Sequence, residues 1–485
     1  MKAFLSFGLV VIVALSTGGC MKKIDDGKIP ITTSSEDAKK EFLQGRERAE
    51  KLELANSAHH FDKAIALDST FATAYLNRAN VSTTAKEFFD NLKKAVSTAG
   101  RASEGERLLI LAAEAAANGN VIKQKESLER VVELFPNDER AHFNFGAYFF
   151  GQQEYDHAIA EYKMAITLAP TFSPVYNILG YAYRQVGNYD EAERMFKKYV
   201  ELIPADPNPY DSYAELLLKI GRFDESIGAY EKALALDSNF SSSRIGIATN
   251  LMYKGKHDEA VEVLRRFYAL ARNDGERRQS IFTQAVVYVD CGKMEEALKE
   301  AEKEYAIAEK TNDFGSMSGD VAMKANFLLD MGKHQEALAA FDRSAQLIVG
   351  SSLSQEIKDN AKLFQHYNNA RVAIAQKNIK TAKAEAEIFR AGTEATGNSN
   401  QVRFVHELAG AIAIVEKNGD VAIAELLQSN QQDPYNLYRI ALAYQMKGDK
   451  EHAKEFCNKA VHFNGLPQLN YAFVRSKAEK LLATM

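Results

Sequence analysis

The chain has 485 residues, of which 46% are apolar, 26% charged and 10% aromatic; this globular composition excludes a disordered chain, a collagen and a multi-span membrane protein. Sixty Lys and Arg against 65 Asp and Glu give a net charge of −5, without the basic excess of a nucleic-acid binder, so no nucleic-acid partner is expected. Only 9 prolines and 28 glycines punctuate the chain, which predicts a mostly helical protein.

The first element is a targeting segment. Lys2 precedes an apolar run from Ala3 to Leu15, too short for a bilayer span of about 20 residues. A basic start, an apolar middle and small residues at the end predict a secretory signal over 1–19. Ser16-Thr17-Gly18-Gly19 then leads into Cys20. This segment resembles the lipobox of bacterial lipoproteins, with Thr17 where Leu is usual. The resemblance implies cleavage before Cys20, acylation of Cys20 as the new N-terminus, and a membrane-anchored chain. Two acyl chains give stable anchoring where one does not. Met21, in place of the Asp that retains such proteins at the inner membrane, implies the outer membrane. Residues 20–35 include Gly27, Pro30 and Thr32-Thr33-Ser34-Ser35, and read as a lipidated end with a flexible tether.

Beyond the tether the chain repeats. Pro136, Pro170 and Pro204 are spaced by 34, and Gly146, Gly180, Ala214 and Ala248 keep the same beat. So do Ala158, Ala192, Ser226 and Ala260, the bulky series Tyr162, Phe196, Tyr230 and Leu264, and the glycines Gly187, Gly221 and Gly255. A fixed period of this length marks a solenoid. In the clearest unit, 173–206, Tyr176, Leu179, Gly180 and Tyr183 form the apolar stripe of one helix. Ala192, Phe196 and Tyr199 form that of the next, and Pro204 ends it. Gly180 and Ala192 are small where the helices cross, and Gly187 ends the first helix.

This pattern resembles the tetratricopeptide repeat (TPR), a helix–turn–helix unit of 34 residues. The resemblance implies an all-α fold, a right-handed superhelix of antiparallel helix pairs with about 12 repeats. Units begin near 38, 72, 105, 139, 173, 207, 241, 278, 318, 363, 403 and 434. Residues 36–104 read as irregular helical repeats, 105–274 as a regular array, 275–466 as an extended and divergent array, and 467–485 as a capping helix. Such arrays are expected to make contacts between neighbours only. Cys291 and Cys457 then lie too far apart to bridge.

No phosphate loop or nucleophile elbow is present. His406-Glu407 begins like a zinc-protease helix, but Gly410 stands where the second His is needed. Nearly every residue is used by the repeat, so no enzyme, catalytic residue, cofactor or metal is expected. What can bind is the concave face. In TPR proteins it is lined by residues flanking the core stripe of the first helix of each unit, which implies the candidates Arg140, Phe143, Asn177, Tyr181, Arg184, Asp211 and Glu215. A lining that mixes aromatic, basic and acidic groups suits a protein or peptide partner. The expected function is a lipid-anchored scaffold in the cell envelope. The alternative is a ligand-capture lipoprotein for glycan uptake, which the absence of Trp and of long loops disfavours.

Overall fold

The computed structural model describes residues 27–51, 53–396 and 398–485. The signal segment and Cys20 lie outside them. The periodic apolar stripes resolve into helices in chain order. The first pair is α1 (Glu36–Glu50) with α2 (Leu54–Leu67), and the second α3 (Ala72–Asn80) with α4 (Ala85–Thr98). The third is α5 (Glu104–Ala117) with α6 (Val121–Leu134), the fourth α7 (Glu139–Gly151) with α8 (Tyr155–Leu168), and the fifth α9 (Ser173–Gln185) with α10 (Tyr189–Leu202). Next come α11 (Asn208–Lys219) with α12 (Phe223–Leu236), α13 (Ser241–Tyr253) with α14 (His257–Leu270), and α15 (Asp274–Asp290) with α16 (Met294–Lys310). The ninth to twelfth pairs are α17 (Phe314–Asp330) with α18 (His334–Val349), α19 (Gln355–Ala375) with α20 (Ile379–Thr396), α21 (Ser399–Val415) with α22 (Gly419–Leu426), and α23 (Pro434–Met446) with α24 (Lys450–Val461). A last helix, α25 (Leu469–Leu482), ends the chain. The fold is an all-α solenoid of stacked helix pairs.

The fifth pair shows why these residues fold this way. Tyr176, Leu179 and Tyr183 of α9 are buried, and Ala192, Phe196 and Tyr199 of α10 are fully so. Each such aromatic contributes about 1.5–3 kcal/mol by leaving water. A Cβ at Gly180 would stand 2.8 Å from Phe196 Cε1, so only glycine lets α9 approach the ring. Gly187 has φ +77°, the left-handed conformation that stops α9. Asn188 caps α10 by accepting from the Glu191 N–H, next to the acidic first turn that suits a helix N-terminus.

The divergent units keep short connections and lengthen their helices. The helices from α15 to α21 run 16 to 21 residues, against 12 to 14 in the regular array from α5 to α14. The period drifts because a turn of helix is added at a time.

The expectation of neighbour-only contacts fails. Ser354, the N-cap of α19, donates to Asn118 at the end of α5 over 2.8 Å. Arg403 of α21 donates to the Gln152 carbonyl after α7 over 2.7 Å, and Gln153 donates to Asn430 over 3.0 Å. The third pair thus meets the tenth and the fourth meets the eleventh. About seven pairs complete one superhelical turn, and twelve are enough for the second turn to lie on the first. At these contacts polar groups near the ends of the first helices, which a solvated solenoid would leave to water, find partners on the other turn instead.

The terminal helix also does more than cover the last pair. Ala472, Phe473 and Val474 of α25 join the apolar cluster of Met252, Tyr288, Val289 and Phe327. Tyr471 packs on Tyr253 at 5.4 Å. Arg475 pairs with Asp290, Nε to Oδ1 at 2.7 Å, and Lys477 pairs with Asp330. α25 therefore clasps α13, α15 and α17 from the far end of the chain.

Candidate partner groove

Residues 28–34, expected to belong to a flexible tether, are instead held along the inner edge of the first repeats. Pro30 disfavours helix at Ile29, and the β-branched Ile29, Ile31, Thr32 and Thr33 favour extension. Burial alternates accordingly: Ile29, Ile31 and Thr33 are half-buried, while Pro30, Thr32 and Ser34 are exposed. An extended segment presents backbone N–H groups that need acceptors, and three carboxylates supply them. The Ile29 N–H donates to Asp138 Oδ2 at 2.8 Å, the Thr32 N–H to Glu106 Oε1 at 3.0 Å, and the Ser34 N–H to Asp68 Oδ2 at 3.0 Å. Lys28 pairs with Glu139, and the Thr33 hydroxyl donates to Asp68 at 2.6 Å. Ile31 packs on the Phe42, Phe61 and Phe71 cluster. This strap runs antiparallel to the repeats, from the fourth pair to the first.

The three carboxylates are themselves fixed by the repeats. Asp138 is the N-cap of α7 and accepts from the Arg140 and Ala141 N–H groups. Glu106 closes a capping box with Ser103 on α5 and accepts from Thr73 Oγ1 at 2.8 Å. Asp68 ends α2 and accepts from Thr70. Burial opposes ionisation of Asp68, but hydrogen bonds from Thr33, Thr70 and Ser34 outweigh it and hold the carboxyl well below its usual range.

Beside the strap lies a cavity of about 540 Å³, walled by Ile29 and Ile31, by Arg46 of α1, Leu76 and Asn80 of α3, Leu109 of α5, and Asn144 and Tyr148 of α7. Arg140 spans its mouth, donating to Glu50 of α1 at 2.8 Å with its guanidinium 4.6 Å from the Phe172 ring centre. Burial and the neighbouring Arg140 lower the affinity of Arg46 for its proton.

The other sequence candidates divide. Phe143 packs on Tyr162 at 6.0 Å and on Phe172 at 5.7 Å, so it joins α7 to its neighbours. Asn177 is half-buried, with Oδ1 unpartnered. Tyr181, Arg184, Asp211 and Glu215 come together in one network. Arg184 lies 4.6 Å over the Tyr181 ring and 3.3 Å from Glu215, and Asp211 accepts from Ser243 at 2.6 Å. Burial first, then the facing Glu215, raise the Asp211 carboxyl; burial likewise raises Glu215 against the pull of Arg184. Lys219, pushed down to about 8 by burial and by Arg184, donates to the Phe463 carbonyl at 2.6 Å. The turn before α25 thus covers part of this network.

Sequence reasoning missed Asp68, Glu106, Asp138 and the strap. The lining rule that selected Arg140 selects Thr73 and Glu106 when carried into the second and third units. The alternating β-branched residues of the strap were a legible sign of extension. His406 pairs with Glu425 at 2.7 Å and Glu407 with Arg439 at 2.9 Å, so neither is free for the metal chemistry their spacing resembles. No group of three or more His, Cys, Asp or Glu among the described residues could hold a metal ion. No described helix is long and apolar enough to cross a membrane.

Two tetratricopeptide-repeat family models match the chain, one at residues 173–206, 208–240 and 435–464, the other at 125–171. The chain carries tetratricopeptide repeats. The matched TPR segments include the fifth and sixth helix pairs, on which Tyr181, Arg184, Asp211 and Glu215 sit. Among solved structures, a tetratricopeptide repeat protein from Parabacteroides merdae ATCC 43184 is 15% identical with a TM-score of 0.37, covering 53% of this chain and 97% of its own. The MamA protein is 20% identical with a TM-score of 0.28, covering 33% of this chain and 88% of its own. A comparison with curated proteins returns no match.

Proposed function

We propose that this TPR protein is an exported, lipid-anchored scaffold of the bacterial cell envelope, at the outer membrane, whose inner groove takes an extended segment of a protein partner. TPR units in general mediate protein–protein interaction. The observation that carries the reading is the strap: a groove of the first to fourth pairs holds a seven-residue extended segment by its backbone N–H groups. Extended peptides are recognised in this way, through main-chain hydrogen bonds with side-chain contacts added.

Two experiments test the parts separately. Cys20→Ala is expected to move the protein from the membrane to the soluble fraction; a variant that stays membrane-bound refutes the anchor. Capture of a partner from native membranes is expected to weaken on Tyr181→Ala with Arg184→Glu at unchanged helicity. Capture that is indifferent to the pair removes that stretch of the groove from the account.

A further inference from the structure

The strap is held in a way that favours exchange. Its three backbone donors go to three carboxylates spread along the first four repeats: Asp68 at the end of the first pair's α2, Glu106 on the third pair and Asp138 capping the fourth. A backbone N–H belongs to any residue but proline, so this ladder reads an extended shape. Side chains add selectivity at Glu139, which takes Lys28, at the Phe42–Phe61–Phe71 cluster, which takes Ile31, and at Asp68, which takes the Thr33 hydroxyl. None of the strap residues is fully buried, and segments with few buried apolar contacts open at the lowest free energy. The adjoining cavity of about 540 Å³ gives the groove more room than the strap fills, and Arg140 Nε on its wall is buried without a partner.

We propose that Asp68, Glu106 and Asp138 form a docking ladder for an extended segment of a partner protein, basic and apolar at its N-terminal end and hydroxyl-rich at its C-terminal end, which binds by displacing the chain's own strap. The proposal deepens the scaffold reading and rests on it. The strap lowers the apparent affinity for any occupant by the fraction of time it is seated.

The test uses the full chain in detergent and a fluorescent, capped peptide of sequence Lys-Ile-Pro-Ile-Thr-Thr-Ser. The double variant Ile29→Pro with Thr32→Pro removes two donors from the strap and leaves the ladder untouched. The peptide is expected to bind this variant at least about tenfold more tightly than the unaltered chain. The same peptide N-methylated at its second and fifth residues is expected to lose at least about tenfold, since hydrogen bonds to charged acceptors are the strong ones. Equal affinity for the two chains, or indifference to N-methylation, overturns the proposal. A concentration-dependent dimer of the unaltered chain that the double variant abolishes would assign the ladder to strap exchange between two copies and overturn a partner occupant. If partner capture through Tyr181 and Arg184 persists while the peptide fails, the ladder falls and the scaffold reading stands.

Discussion

Replacing Arg475 by Leu tests whether α25 is a clasp. Arg475 makes a two-bonded pair with Asp290, a residue 185 positions away whose side chain is 1% exposed. Without it, Asp290 keeps among the described residues the pair with His257, at 2.8 Å. Removing one member of a buried pair costs about 3–5 kcal/mol, chiefly because the other charge stays desolvated. Against this, Phe473 and Val474 dock with about 1.5–3 kcal/mol each. Tyr471, Ala472 and Ala478 of the same helix are buried too, so the loss is a large fraction of the docking free energy of the helix, and the prediction is more frequent local opening of α25. Amides of α25 should exchange with solvent about 100-fold faster, a shift of roughly 3 kcal/mol, while those of α9 and α10 stay protected. Adding Asp290→Asn should recover part of the loss by removing the stranded charge. Unchanged exchange in α25, or equal acceleration across the array, would refute the clasp.

Three further outcomes follow from the packing and ionisation. Gly180→Ala forces a Cβ to within 2.8 Å of the Phe196 ring and should cost about 1–3 kcal/mol in urea unfolding; a neutral result would mean that α9 and α10 can separate freely. The His142 ring, hydrogen-bonded to Glu161 at 2.7 Å, holds its proton above the ordinary value of 6.5. Its stabilisation is present below pH 6.5 and lost as pH rises through the raised folded value, so Glu161→Gln should lower the melting temperature more at pH 5.5 than at pH 8.5. Burial first, then Asp320, push Glu304 from 4.5 up to about 8. The protein should lose that contribution between pH 5 and pH 8, and Glu304→Gln should be the more stable form by roughly 1–3 kcal/mol at pH 8.5, with the two forms alike at pH 5.

The repeat was legible because it is enforced by geometry that sequence displays directly. A crossing such as Gly180 against Phe196 needs a small residue facing a large one, and the spacing recurs wherever helix pairs stack. The starts expected from that beat fall within two residues of the first helices from α1 to α13 and at α23; in the units of α15, α17, α19 and α21 the helices begin four to eight residues earlier than expected. The stacking of one turn on another was not legible. Ser354 with Asn118 and Arg403 with Gln152 are ordinary polar residues at helix ends, and nothing local marks them as partners across hundreds of residues. Their meeting depends on the small rotation per repeat, summed over seven pairs. Of the groove candidates, Arg140 lines the cavity beside the strap. Tyr181, Arg184, Asp211 and Glu215 share one network, partly covered by the turn at Phe463. The strap escaped because its Thr and Ser residues have the composition of a linker, and only the carboxylates waiting on three other repeats make it ordered.

In the proposed function the inner face of the array holds a protein partner. The most direct measurement places a photo-crosslinking amino acid at Asn80 or Ala147 on the groove and, as a control, at the exposed Ile122, in cells that make the anchored chain. A protein adduct of discrete mass is expected from the two groove positions and none from Ile122. Adducts from Ile122 alone, or from none of the three, would contradict that function.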